Sequence, residues 1–239
     1  MRNTLLILMA LLVGNIAMVA QDNNTLAPID SCAIEACDTI SESLYVDEKY
    51  VRDTIADSAT ELFVIARDSK IIYFDNLDRI LMLPGETDSI QESRSGVKYK
   101  IVAQDSTNVE IEVNRNWYYQ LVLLDENLFA LITTHAIPQQ DSEIEFFDFK
   151  WDQLPTKKFF KVPELRDWLT DSGKKNIKEV EKKVPFLIVY YKYNPTTKIL
   201  TLTNNLKDYF IVNEWNELAP FFKSELKYEW SKKKFKQIK

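Results

Sequence analysis

Polar and apolar positions alternate along this chain with two periods, and the changes between them mark out its elements. Between residues 31 and 44, Ile34, Ala36 with Cys37, Ile40 and Leu44 recur at three- and four-residue steps, the spacing of one helix face. Val51, Ile55 and Ala59 repeat that step and predict a second helix over 47–57, with Asp47 and Glu48 where a helix start favours negative charge. From residue 61 the period shortens. Residues 61–66 and 70–74 flank Arg67-Asp68-Ser69 and read as a hairpin, and 79–83 reads as a strand stopped by Pro84-Gly85. Residues 97–103 and 109–113 follow. In the latter, Val109, Ile111 and Val113 share one side and Glu110 and Glu112 the other, the signature of one dry and one wet face. Residues 117–124 and 128–134, joined by Asp125-Glu126-Asn127, are almost continuously apolar. Strands of that kind are covered on both faces, which predicts that these two lie at the centre of the sheet. A further strand is expected over 143–149.

The second half is more broken. Residues 151–160 read as irregular, and Pro163 suits the first turn of a short helix over 163–169, with Gly173 as its stop. Residues 174–183 fit a charged helix or a solvated loop. A hairpin is expected from 185–193 and 198–204 around Asn194-Pro195-Thr196-Thr197, and a helix over 213–222 with Trp215 and Leu218 inward. A last hairpin, 226–230 with 235–238, turns at Ser231-Lys232-Lys233-Lys234. Strands joined in succession by short polar turns predict an α+β fold: a mainly antiparallel sheet, built as a meander and hairpins, packed with several helices. One domain is expected over 31–239, with a sub-boundary near 150–163.

Ahead of it, residues 1–20 have the three parts of a signal peptide: Arg2 near a positive start, an apolar run from Leu5 to Val13, and a small residue, Ala20, before Gln21-Asp22-Asn23-Asn24. The run is short of the roughly 20 residues of a membrane span. The expectation is an exported chain, periplasmic or secreted, with no transmembrane segment once the signal is removed and with a flexible arm over 21–30. In that compartment Cys32 and Cys37 are either a disulfide in a loop or free thiols on a helix, where five residues would turn them to different faces; the residues leave both open.

Composition narrows the chemistry. The chain has 4 glycines, one of them inside the expected signal peptide. Dinucleotide fingerprints, phosphate loops and nucleophile elbows all need clustered glycines, so these are excluded. The turns are expected to use Asn, Asp and Pro instead. Charge is split: from Gln21 to Lys150 acids outnumber bases 25 to 10, and from Trp151 to Lys239 bases outnumber acids 19 to 11. Such a split fits mutual attraction of two faces, or contact of the basic half with another envelope protein or an anionic envelope surface. Nucleic acid is not an expected partner.

Candidate reactive groups are few. His135 is the single histidine and follows an apolar strand. Glu143 and Glu145 share a strand face, with Asp148 close behind, and paired carboxylates are the equipment of a glycoside hydrolase. Pairs of this sort occur on any solvated strand, and Glu110 with Glu112 is an equal example. Two cysteines and one histidine do not compose a zinc site, and no cofactor is expected. Aromatic doublets such as Phe146-Phe147 and Tyr190-Tyr191 read as core filling on opposite faces. The preferred reading is a non-catalytic binding or assembly module. A carboxylate-dependent secreted hydrolase and a small-ligand or lipid carrier are the alternatives.

Three stretches carry a resemblance. The segment from Asp141 to Pro155, with Phe146-Phe147-Asp148, Trp151 and Leu154, resembles a strand followed by a Phe-Tyr-Asp, Trp and Leu pattern. Leu226-Lys227-Tyr228-Glu229-Trp230 with Lys234-Phe235 resembles a terminal Leu-x-Tyr-x-Trp hairpin, and the early helices around 47–55 fit a looser third pattern. Together they are similar to a family of exported proteins from gut Bacteroidales classed only as a domain of unknown function. The resemblance implies no activity and assigns no functional residue.

Overall fold

The computed structural model describes residues 56–238. The expected signal peptide, the arm, the 31–44 helix, nearly all of the 47–57 helix and both cysteines lie outside these residues. The first described elements are helices where strands were expected: α1 (Ala59–Val64) and α2 (Asn76–Met82). Each starts on a side-chain cap. The Ser58 hydroxyl accepts from the Glu61 amide at 3.2 Å, and the Asp75 carboxylate accepts from the Asp78 amide at 2.7 Å. Those caps, invisible to apolar period alone, decide helix over strand for two short apolar runs. Residues 70–74, also expected as a strand, are a succession of turns between the two helices.

Seven strands follow in one antiparallel meander, paired in sequence order: β1 (Gln91–Glu92), β2 (Lys98–Gln104), β3 (Asn108–Val113), β4 (Trp117–Asp125), β5 (Leu128–His135), β6 (Asp141–Phe147) and β7 (Gln153–Leu154). As their apolar runs predict, β4 and β5 stand at the centre. Side-chain alternation divides this sheet into two faces. Leu121, Phe129, Leu131 and Phe147 pack with α1, α2 and Trp151, together with the dry side of β3, Val109, Ile111 and Val113. Val122, Ala130, Ile132, Ile144 and Phe146 face a second core built from the rest of the chain. The doublet Phe146-Phe147 thus fills two different cores.

That second core is closed by short helices, α3 (Thr156–Phe159), α4 (Leu165–Trp168), α5 (Asp171–Lys175) and α6 (Ile177–Lys183), and by a four-stranded antiparallel sheet in the order β11-β10-β9-β8. Its strands are β8 (Val189–Asn194), β9 (Ile199–Asn204), β10 (Glu225–Ser231) and β11 (Lys234–Ile238), with α7 (Val212–Leu218) between β9 and β10. Residues 151–160, expected to be irregular, contain β7 and α3. Gly173 does not stop a helix. It lies inside α5, where an added Cβ would come within 2.3 Å of the Phe221 carbonyl oxygen, so its role is close approach rather than a positive φ. No helix among the described residues is long and apolar enough to cross a membrane.

The second sheet meets the first along β8. Its outward amides find side chains instead of a strand: Val189 donates to Asp141 at 2.9 Å, Tyr191 to Ser142 at 3.0 Å, and Tyr193 to Gln120 at 3.0 Å. Gln120 returns a bond from its amide nitrogen to the Tyr193 carbonyl at 2.8 Å. An edge that would otherwise pair with any free strand is thereby satisfied within the molecule.

Candidate functional site

Of the residues singled out from the sequence, Glu145 and Asp148 are taken up in bonds that shape the fold. His135 is exposed at the end of β5, its ring centroid 3.8 Å from that of Trp117. Glu143 and Glu145 do share one face of β6, but Glu145 is bound by Lys70 at 2.6 Å and by Gln153 at 2.8 Å. Asp148 accepts from the amides of Lys150 at 2.9 Å and Asp152 at 3.0 Å. This loop holds Trp151 at a φ of 63°, with its indole nitrogen donating to the Leu62 carbonyl at 3.0 Å. Phe147 and Trp151 of the Phe-Phe-Asp and Trp pattern therefore plug the helix-side core, while Phe146 faces the other. The Trp230 of the terminal hairpin does the same for the other core, stacking edge-on against Phe235 at 4.9 Å. Among the described residues, no group of three or more His, Cys, Asp or Glu side chains converges as metal ligands would.

Two open grooves mark the first sheet and its ends. One, of about 580 Å³, lies beside β1 to β3 and carries both signs of charge, Lys98, Lys100 and Arg115 with Glu92 and Glu112. Two residues along β3 from Glu112, Glu110 is bonded to Lys192 of β8, with Tyr118 and Tyr190 beside them. Burial comes first among the causes that raise both tyrosine hydroxyls above their ordinary pKa, with the charge of Glu112 acting on Tyr118 and that of Glu110 on Tyr190. The space there is filled by these contacts.

The second groove, of about 400 Å³, has a more specific character. It lies between the β4–β5 turn, α3 and the β10–β11 turn. Its floor is apolar: Leu128 and Phe159, each 6 % exposed, and Leu154. Lys158, Lys233 and Lys234 stand around it, opposite Asp125 and Glu126. The Lys158 ammonium sits 5.3 Å from the centre of the Phe159 ring. Lys233 reaches Asp125 at 3.1 Å. The Asp125 carboxyl is held below its ordinary pKa, first by the Glu126 amide that it accepts and then by Lys233. The adjacent β8–β9 turn brings Lys198 to the same end of the sheet, where its carbonyl accepts from the Trp230 amide at 2.8 Å.

The backbone of these turns is unusual for its side chains. Lys232 and Lys233 have φ of 52° and 60°, Lys198 of 57°, and, at the β3–β4 turn, Asn114 and Arg115 of 50° and 62°. Left-handed turn positions ordinarily take Gly or Asn, since a Cβ collides there with the backbone. The expectation that Asn, Asp and Pro would replace glycine is thus corrected in part: long cations occupy these positions as well. Lys234 and Lys236 alternate with the buried Phe235 on β11, the edge strand of the second sheet, and exposed lysines protect such an edge. In the turn itself, Lys-Lys stands where Asn-Gly is usual.

The fold has a solved counterpart. A domain of an uncharacterized protein from Porphyromonas gingivalis W83 superposes with a TM-score of 0.65 at 17 % identity, over 77 % of this chain and 99 % of that one. At that identity the likeness concerns the fold alone. No curated protein matches the chain. A family model described as a protein of unknown function, DUF3256, matches residues 52–235. The Bacteroidales counterpart and this match over most of the chain agree with the resemblance carried by the Trp151 and Trp230 segments, and the chain belongs to the DUF3256 family of proteins of unknown function.

Proposed function

We propose that this chain is an exported, non-catalytic binding module that attaches to an anionic surface of the cell envelope through the cationic end of its second sheet. The observation that carries the reading is the β10–β11 turn. Two lysines, Lys232 and Lys233, are kept there in a backbone conformation that costs a bulky residue on the order of 1–2 kcal/mol, and Lys233 lines an apolar-floored groove together with Lys234 of β11 and Lys158 of α3. Strain at an exposed turn, with no burial to reward it, points to a use for the charge. The engagement of Glu145, Glu110 and Asp148 in bonds that shape the fold supports a non-catalytic role.

The test separates charge from fold. In the double variant Lys232→Asn with Lys233→Gly, the turn gains residues suited to positive φ, and unfolding stability should rise by about 0.5–1 kcal/mol. Flotation with vesicles containing anionic lipid should show wild-type binding that weakens with added salt, and weaker binding by the stabilised variant. Equal binding to neutral and anionic vesicles would refute the reading. Export is checked separately, by finding the chain outside the cytoplasm with Gln21 as its first residue.

A further inference from the structure

We infer that the groove between α3 and the β4–β5 and β10–β11 turns is a seat for a phosphate group carried on an apolar body, and that Asp125 occupies the anion's place when the seat is empty. This rests on the reading of the cationic end as a binding surface and specifies what the groove takes. Three features of the groove carry it. First, Lys158 of α3 and Lys233 and Lys234 of the β10–β11 hairpin line one opening, so lysines of two separate elements can turn toward a single compact anion. Lysine is a point charge with rotatable donors, suited to a phosphate rather than to planar, two-pronged recognition.

Second, the same groove, of about 400 Å³, has an apolar part formed by Leu128, Leu154 and Phe159, against which an alkyl chain or ring can lie. A bare phosphate would leave that apolar surface wet, while an amphiphile covers it. Third, the pairing inside the groove imitates a ligand. Asp125 is fixed, since its Oδ1 accepts from the Glu126 amide at 2.9 Å while its Oδ2 takes the Lys233 ammonium at 3.1 Å. Lys233 is 78 % exposed and Asp125 32 % exposed. A pair so open to solvent is weak, and a dianion displaces it easily. Asp125 is therefore an internal competitor, which makes a distinctive prediction: removing its charge should strengthen binding.

The phosphate can come from a soluble amphiphile or from a lipid headgroup, and the experiment distinguishes the two. The purified chain is titrated by calorimetry with hexyl phosphate, inorganic phosphate and hexanol, and floated with vesicles of phosphatidylcholine with or without phosphatidic acid. Hexyl phosphate should bind about tenfold more tightly than inorganic phosphate, and hexanol should not bind measurably. Asp125→Asn, which keeps the acceptor for the Glu126 amide, should tighten hexyl phosphate several-fold. Lys158→Gln with Lys234→Gln should weaken it at least tenfold with an unchanged thermal midpoint. Binding of both hexyl phosphate and the vesicles assigns the seat to a headgroup. Binding of hexyl phosphate alone assigns it to a soluble amphiphile. If vesicles bind while hexyl phosphate does no better than phosphate, the seat is wrong and the cationic surface stands. If Asp125→Asn weakens binding or leaves it unchanged, the role of Asp125 is wrong. If no anion binds, both proposals fall.

Discussion

One charged side chain that barely reaches solvent ties the first helices together. Arg79, 1 % exposed, donates to the carbonyls of Val64, Ala66 and Phe74 and to Asp68, tying the turns after α1 to α2. Burial pulls its pKa down, opposed by Asp68. Removing it takes the buried donor from the Ala66 and Phe74 carbonyls, while Val64 keeps the Asn76 amide at 2.9 Å. Arg79→Met should cost about 3–5 kcal/mol by urea unfolding. Asp68→Asn breaks the same ion pair from its 68 % exposed side and should cost less than about 1 kcal/mol. Equal losses would mean that the ion pair, rather than the carbonyls, is what Arg79 supplies. Tyrosines give a second residue-scale expectation. Burial pushes Tyr191, Tyr193 and Tyr228 up to about 12. The unfolded value is about 10, so between the two the native state holds protons that the unfolded state has lost. This contribution is complete below pH of about 10 and is lost as pH rises through about 12. Urea midpoints should therefore fall over that window, with tyrosinate absorbance appearing as the protein unfolds; a flat midpoint through it would show that these hydroxyls are not held neutral.

At the scale of elements, what could be read from the chain depended on whether apolar period or a local bond made the decision. β3 to β6 were legible because each has enough length for alternation, or an unbroken apolar run, to speak for itself. Val109, Ile111 and Val113 are buried as their spacing requires, at 1 %, 0 % and 0 % exposure. α1 and α2 were misread because six- and seven-residue runs fit either period, and the decision fell to Ser58 and Asp75 as caps. β1 and β7 have two residues each and no pattern at all; partners put them in the sheet. The commonest use of glycine near a helix end predicts a stop at Gly173, whereas packing against the carbonyl of Phe221, distant in sequence and in neither period nor motif, fixes it. Of the proposed groove, the lysines were legible as residue types, while their gathering with α3 depends on turns and contacts that no local pattern carries. Glu145 of β6 shows in the sequence as a bare charge, and only the fold supplies its partners Lys70 and Gln153. The lysines of the β10–β11 turn looked structural because sequence shows a turn without its φ angles.

For the whole molecule, the central fact is that one sheet serves two cores. Leu121 and Phe147 belong to the core with α1 and α2, and their immediate neighbours Val122 and Phe146 to the core with the second sheet. Neither core retains a wall if β4 to β6 melt, so the described residues should unfold in one transition although they contain two apolar clusters. Phe146 and Phe147 make the test sharp, because they are adjacent in the chain and both essentially unexposed, at 0 % and 1 %. Each truncation to Ala leaves a cavity and should cost about 3–5 kcal/mol. If the sheet couples the cores, Phe146→Ala and Phe147→Ala will each move the same urea transition to lower concentration with an unchanged slope, as seen by circular dichroism and by tryptophan fluorescence alike. Independent cores would behave otherwise. Each variant would split the transition, and only the tryptophans of the damaged side, Trp151 on the helix side or Trp168 on the other, would report the early phase.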